Sequence, residues 1–376
     1  MIPVCFDITS LLYGRGVSRY TSNIIQALST QADLDLWVYG STGRSFSQLE
    51  KLAKDLPISK NQVILDRIPV KFLPYIWQLG LLSPTRKIPK PCLLHSWDWH
   101  QPPLEKKVGL VSTIHDLAIL KFPQTALPDV LKHHRASWKK LKQHQAQIIA
   151  VSQTTRRDVI ELLDFPPERV HVVYEALPIE SKAVMNELSE SQYDVIKTKL
   201  KLDRPFILFV STREPRKNLE RLIKAWQPLA KDFDLIIAGA NHQSLSESSA
   251  DQPHLRLLGR VSDQKLAVLY GEASLMAYPS LYEGFGLPIL EAFFHGTPVV
   301  TSNNSGMKEV AGNAAELVDP ESIASIRQGL EKVLNENRDD QQLRLKKMII
   351  RGQMFSWDLA ARQTYEIYQR AYQKLL

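Results

Sequence analysis

Short apolar runs, each closed by turn residues and followed by a helical stretch, recur along this chain in two series. The first comprises residues 4–9, 36–39, 92–95, 110–115, 148–152 and 170–174, and the second residues 206–212, 235–240, 255–259, 275–278, 298–302 and 315–318. Runs of this length without polar alternation suit strands covered on both faces, and strand–helix alternation predicts parallel, doubly wound α/β sheets. Two series predict two Rossmann-like domains. Between them, residues 178–205 carry mixed charge and no strand signal, so they read as a helix-bearing linker with the boundary near Asp203. The expected division is 1–180, a linker at 181–204, a second domain at 205–354, and a helical tail at 355–376.

Length agrees, since 376 residues at about 150 per domain exceed one ordinary core. Apolar content of 44% and charge of 23% are those of a globular chain and exclude disordered and collagen-like classes. Cys5 and Cys92, each inside an apolar run, offer neither a disulfide framework nor a cysteine metal site. The opening MIPVCFDITS has no basic leader, and no uncharged apolar span reaches 18 residues, so a cytoplasmic enzyme that does not cross the membrane is expected. Of the net charge of +7, nearly all lies in residues 1–180, with 22 Lys/Arg against 16 Asp/Glu. A basic half attracts an anionic partner such as a lipid-linked phosphate, a membrane surface or nucleic acid, or serves solubility alone.

Ligands of open parallel sheets bind beyond the carboxyl ends of the strands, so chemistry is sought in the loops there. From Met276 to Asn303 the chain reads MAYPSLYEGFGLPILEAFFHGTPVVTSN: a buried strand, a glycine-turned loop, a proline-started helix and a second strand. Pro288 suits a first helical position, and the backbone N–H groups of Gly284, Phe285, Gly286 and Leu287 gather at a helix N-terminus. Glu283 opens this loop and Glu291 falls in the expected first helical turn. Two carboxylates can then hold sugar hydroxyls, although Glu291 has a second reading as a residue favoured by the helix dipole.

The Glu-x7-Glu spacing within EGFGLPILEA resembles the retaining nucleotide-sugar glycosyltransferases of family four, and the resemblance extends over nearly the whole chain. It implies the GT-B fold: two Rossmann-like domains facing across a cleft, the second binding the donor, with a C-terminal helix returning to the first. In ILFVSTREPRKN the likeness assigns Arg216 and Lys217 to the leaving diphosphate. Thr212 stands there where many relatives carry arginine, a loss for which Arg213 or Arg216 would compensate. In YGRGVSRYTSNI, Gly16, Arg19 and Tyr20 match the glycine-rich first loop, whereas Arg15 and Ser18 replace glycines. In STIHDLAIL, His115 matches the histidine that contacts the donor hexose. Glu175 and Ala176 replace a usual Asn-Gly turn.

The likeness thus implies His115, Arg216, Lys217 and Glu283 as catalytic residues. It implies Gly16, Thr212, Gly284, Phe285, Gly286, Leu287 and Glu291 as donor-binding. No cofactor and no metal are expected. The partners implied are a nucleotide-sugar donor and a carbohydrate or lipid-linked acceptor, and the basic N-terminal domain adds peripheral contact with the inner face of the membrane, with no nucleic acid. Mannose, from GDP-mannose, is the first choice of sugar. A sugar-nucleotide-binding partner without activity, or an epimerase on the same fold, are the alternatives.

Other motifs carry two readings each. In LLHSWDWH, His95 at a strand end reads as at most an acceptor contact, and Trp97 and Trp99 either stack on a sugar face or fill core. The basic stretch 131–147 is a membrane-surface helix or a solvated one with few packed residues, and the second suits its thin apolar face. KFLPYIWQLGLL, residues 71–82, is a lipid-docking segment or core. The Asp-x-Asp strings at 33–35 and 232–234 precede strands, at the wrong sheet edge for a metal–diphosphate clamp, and read as turn and cap residues.

Overall fold

The structure, a computed structural model, describes residues 1–14, 16–125, 128–212, 214–240 and 252–376. Arg15 and Arg213, both weighed above, lie outside the described residues. The chain divides into two compact units, one of Met1–Glu175 with Ser356–Leu376 and one of Ala176–Phe355.

The first unit holds β1 (Ile2–Asp7), β2 (Leu34–Ser41), β3 (Val63–Asp66), β4 (Cys92–Trp97), β5 (Val108–Ile114), β6 (Gln147–Ala150) and β7 (Val170–Val172). They form one parallel sheet in the order β3-β2-β1-β4-β5-β6-β7. Strand order reverses between β1 and β4, and the crevice outside such a reversal is where doubly wound sheets bind ligands. β3 was not foreseen. It is a short edge strand in which only Ile64 and Asp66 are buried, and its apolar run is just the three residues Val63, Ile64 and Leu65.

The tail forms the helix Trp357–Gln373, started by Ser356, whose Oγ accepts from the Leu359 N–H at 3.2 Å. It packs in the first unit on the helix Gly16–Leu28 and on β4 and β5. Trp357 meets the ring of Tyr20 edge-on at 5.8 Å. Tyr368 is fully buried and bonds His95 Nδ1 at 2.5 Å, while Thr113 Oγ1 lies 2.8 Å from His95 Nε2. Burial pushes the His95 imidazole down to about 3. His95 is therefore a neutral core histidine with both nitrogens satisfied, not an acceptor contact.

The second unit holds β8 (Phe206–Val210), β9 (Asp234–Ala238), β10 (Leu255–Gly259), β11 (Leu275–Tyr278), β12 (Val299–Ser302) and β13 (Glu316–Val318), parallel in the order β10-β9-β8-β11-β12-β13. Its reversal lies between β8 and β11. Residues 181–204, expected as a linker, carry the helices Ile179–Glu187 and Glu190–Leu200, which pack on the helix Asp263–Glu272 and so belong to this unit. A capping box between Ser189 and Gln192 starts the second of them.

Candidate active site

Each strand bordering the second unit's reversal ends in one half of a charged cluster. After β8 the chain makes a 3-10 turn, Pro215–Lys217, and Asn218 then takes a left-handed φ of 64°. The Asn218 amide donates to the carbonyls of Pro279 at 2.9 Å and Pro320 at 2.6 Å, which fixes the turn against the loops after β11 and β13. Arg216 and Lys217 are thereby held facing Glu283. Lys217 Nζ donates to Glu283 Oε1 at 2.5 Å, and Arg216 Nη1 to Glu283 Oε2 at 2.8 Å. The Tyr278 hydroxyl, at the end of β11, donates to the same Oε1 at 2.9 Å.

Lys217, Glu283 and Tyr278 are all buried. Burial alone would push the Glu283 carboxyl up, but the charges of Lys217 and Arg216 outweigh it and hold it down at about 2. Burial pulls the Lys217 ammonium below the usual lysine range, against the upward pull of Glu283. Burial, then the Glu283 charge, raise the Tyr278 phenol, which stays a neutral donor. Glu214 adds a second carboxylate, accepting from Arg216 Nε at 3.2 Å and from Thr212 Oγ1 at 2.9 Å. Thr212 thus meets Arg216 through a shared acid.

The loop beyond Glu283 lies against the start of the helix Ser305–Ala311. Ser305 Oγ accepts from the Glu283 N–H at 3.2 Å, and the Gly306 N–H donates to the Glu283 carbonyl at 3.1 Å. A Cβ on Gly306 would come 2.2 Å from the Gly284 oxygen, so only glycine allows this approach. Gly286 takes φ 119° and caps the helix Leu287–Phe294, in which Pro288 is the second residue. Phe285 is buried edge-on against Phe355 at 5.6 Å and supports the loop by packing.

Glu291 lies in the second turn of this helix, not the first, so dipole compensation does not account for it. It is buried, and its Oε2 accepts from the Tyr270 hydroxyl at 2.9 Å. Tyr270 in turn stacks on His295 at 5.4 Å.

In the first unit, Gly16 begins its helix after β1, and a Cβ there would meet nothing within 4 Å. His115 follows β5. Its Nδ1 lies 2.8 Å from Glu175 Oε1, its carbonyl accepts from Thr155 Oγ1 at 3.0 Å, and the Tyr20 ring stands edge-on at 4.7 Å. Burial would lower the His115 imidazole, but the Glu175 hydrogen bond and charge raise it above the ordinary histidine value. Trp97 and Trp99 lie nearly parallel, 5.9 Å apart. The helix Pro128–Gln143 buries only Ser137, Trp138 and Leu141, in keeping with the solvated reading. The Asp-x-Asp strings sit at strand starts, where Asp35 accepts from Trp37 and Gln62, and Asp234 from Arg204.

Arg216, Lys217 and Glu283 are therefore one cluster, joined by Thr212 through Glu214, with the Gly284–Leu287 loop continuing from it. Glu291 has its own partner in Tyr270, and Gly16 and His115 belong to the first unit. Tyr278, Glu214, Tyr270, Gly306 and Glu175 were not among the predicted site residues. The position of Tyr278 at a strand's carboxyl end was the one available signal.

Two Rossmann-like parallel sheets, the second with two cations and a buried acid at its reversal, make up the GT-B fold of glycosyltransferases. Each half of the chain matches a glycosyltransferase family. The family described as Glycosyltransferase Family 4 matches residues 14–181, and that described as Glycosyl transferases group 1 matches residues 192–350. The chain is 27% identical to O-antigen chain mannosyltransferase B of Escherichia coli, over 94% of this chain and 96% of that protein. Its fold matches sucrose-phosphate synthase from Thermosynechococcus elongatus with a TM-score of 0.71 at 17% identity, covering 100% of both chains. Anabaena Alr3699/HepE, solved in complex with UDP-glucose, matches with a TM-score of 0.68 at 17% identity, covering 98% of this chain and 100% of that one.

Proposed function

We propose that this glycosyltransferase moves a hexose from a nucleotide-diphosphate sugar to an acceptor hydroxyl, with retention at the anomeric carbon and without a metal ion. The observation that carries the reading is the Arg216–Lys217–Glu283 cluster at the reversal of the second sheet. Two cations held around one acid, beside a glycine loop, can take a diphosphate by exchanging part of their pairing from carboxylate to phosphate oxygens.

As the bond from C1 to the diphosphate oxygen breaks, negative charge grows on the leaving group, and Arg216 and Lys217 stabilise it there. The acceptor oxygen bonds to C1 from the same face, and its proton passes to the leaving phosphate oxygen. Glu283 and the backbone of Gly284–Leu287 hold hexose hydroxyls and phosphate. Glu291, oriented by Tyr270, holds the ribose hydroxyls. His115 contacts the hexose, and Gly16 leaves room for the ligand. Mannose from GDP-mannose is our first choice of donor, supported by the relative named as an O-antigen chain mannosyltransferase. A carbohydrate or lipid-linked acceptor in polysaccharide assembly follows from the same likeness, as does cytoplasmic work at the inner membrane face.

The test is thermal stability and turnover with GDP-mannose, UDP-glucose and the free nucleotides, each with and without EDTA. A donor at 100-fold its Kd stabilises by about 2.7 kcal/mol. A shift and turnover with GDP-mannose that EDTA leaves unchanged, and an axial-to-axial product by NMR, support the reading. Turnover abolished by EDTA, or an inverted product, overturns the corresponding part.

A further inference from the structure

Residues 70–82 form a turn–helix–turn segment of the first unit whose two sides differ sharply. A 3-10 turn, Val70–Phe72, leads into the short helix Leu73–Gln78, and Gly80, with φ 67°, turns the chain back so that the Leu81 N–H reaches the Ile76 carbonyl at 3.3 Å. On the inner side Leu73 and Trp77 are buried in the first unit's core, which fixes the segment in place. The outer side presents Phe72 at 47%, Tyr75 at 66%, Leu79 at 71% and Leu81 at 67% exposure. Four large apolar side chains this open within ten residues are more than the scattered exposed leucines of an ordinary surface.

Along the chain, the charge flanking this patch has one sign. From Arg67 to Trp97 the chain has five cations and no Asp or Glu. Arg86 pairs with Asp66 and Lys90 with Glu105, which neutralises two of them. Arg67 lies over the Phe46 ring at 4.4 Å and Lys71 over the Phe72 ring at 4.9 Å, both without an acid partner among the described residues, and Lys87 is exposed. Aromatic and leucine side chains rimmed by uncompensated lysine and arginine fit the boundary of a bilayer with anionic headgroups. A partner protein with an acidic apolar groove would need matching shape. A fluid lipid surface needs only the apolar area and the charge.

We infer that residues 70–82 insert into the surface of an anionic lipid bilayer, with Phe72, Tyr75, Leu79 and Leu81 entering the boundary region and Arg67, Lys71 and Lys87 meeting the headgroups. This rests on the proposed function only in that a lipid-linked acceptor makes such an anchor useful. Among the described residues no helix is long and apolar enough to cross a membrane, so the contact is one of surface insertion.

The experiment is sedimentation of the full chain with vesicles of phosphatidylcholine alone or with about one third phosphatidylglycerol, in the absence of donor and acceptor, so that failure here is distinct from failure of the donor reading. The wild type is expected to bind the anionic vesicles and to release as salt rises. Leu79→Ser with Leu81→Ser is expected to lower partitioning more than tenfold. Lys71→Glu with Lys87→Glu is expected to lower it at least fivefold per site, and only on anionic vesicles. Because all four side chains are exposed, melting temperature and donor-induced stabilisation are expected to stay unchanged. Wild type that ignores both vesicles, or variants that bind as well as wild type, would overturn the inference. A concentration-dependent dimer in analytical ultracentrifugation, abolished by the leucine pair while vesicle binding persists, would assign the patch to a second copy instead.

Discussion

His115 and Glu175, sixty residues apart in sequence, meet through a 2.8 Å hydrogen bond between Nδ1 and Oε1, with Glu175 buried. The carboxylate fixes Nδ1 as the protonated nitrogen and leaves Nε2 for a ligand. The raised imidazole contributes stability that is complete below the ordinary value of 6.5 and is lost as pH rises through the elevated one. Glu175→Gln is therefore expected to move the His115 titration to lower pH, seen in its ring-proton NMR shifts. The fall in melting temperature of the wild type above pH 6.5 is expected to be absent in the variant. A His115 titration at the same pH in both proteins would show that Glu175 does not act on it.

Glu283→Gln removes the one carboxylate that Lys217 and Arg216 share. A buried cation left without its partner costs about 3–5 kcal/mol. In the wild type the Glu283 contribution is complete above pH 4.5 and declines as pH falls towards 2. The variant is expected to melt lower at neutral pH, to show a flatter acid limb, and to regain stability in pyrophosphate, which returns negative charge to the two cations. Equal acid limbs in the two proteins would contradict this.

Lys217→Ala is expected to reduce kcat by about 100- to 1,000-fold while changing donor affinity far less, because its interaction strengthens as charge develops on the leaving diphosphate. Calorimetric donor binding beside steady-state kinetics makes the division. Weaker binding with kcat intact would assign Lys217 to ground-state binding alone.

Gly16→Ala and Gly306→Ala separate two uses of glycine. At Gly16 the surroundings are open and the residue starts a helix, so alanine is expected to leave stability unchanged or raise it by about 0.5–1 kcal/mol. Any loss of activity there then belongs to the ligand. At Gly306 the new methyl meets the Gly284 carbonyl, and a loss of about 1–3 kcal/mol together with weaker donor binding is expected. Melting curves and donor titrations on both variants check the contrast.

Glu291→Ala is expected chiefly to weaken donor affinity, and Tyr270→Phe to weaken it less, since the phenol orients the carboxylate without replacing it. Nucleotide titration by calorimetry measures both. An unaltered Kd in Glu291→Ala would remove it from the nucleotide site.

The two sheets were legible because a doubly covered strand must be apolar along its whole length, which the local sequence records directly. β3 was not, since its apolar run of three residues is too short to stand out from a loop. The Arg216, Lys217 and Glu283 positions were readable as strand-end charges, but not their sharing of a single acid, which depends on β8 and β11 lying side by side. His95 is the sharpest difference. Its place at a strand end suggests a ligand contact, and the residue that closes it in, Tyr368, comes from a helix 273 residues later. Glu175 was read as a departure from a turn, whereas its meaning lies in a histidine on a different strand's loop.

The first unit is discontinuous in the chain, ending at Glu175 and resuming at Ser356. During synthesis, β1 to β7 emerge long before the helix Trp357–Gln373 that supplies Tyr368 and Trp357. Until that segment is made, His95 lacks Tyr368 and Tyr20 lacks Trp357, so the first unit cannot close its core. The second unit, by contrast, is one unbroken stretch, Ala176–Phe355, and is made whole before the segment that closes the first.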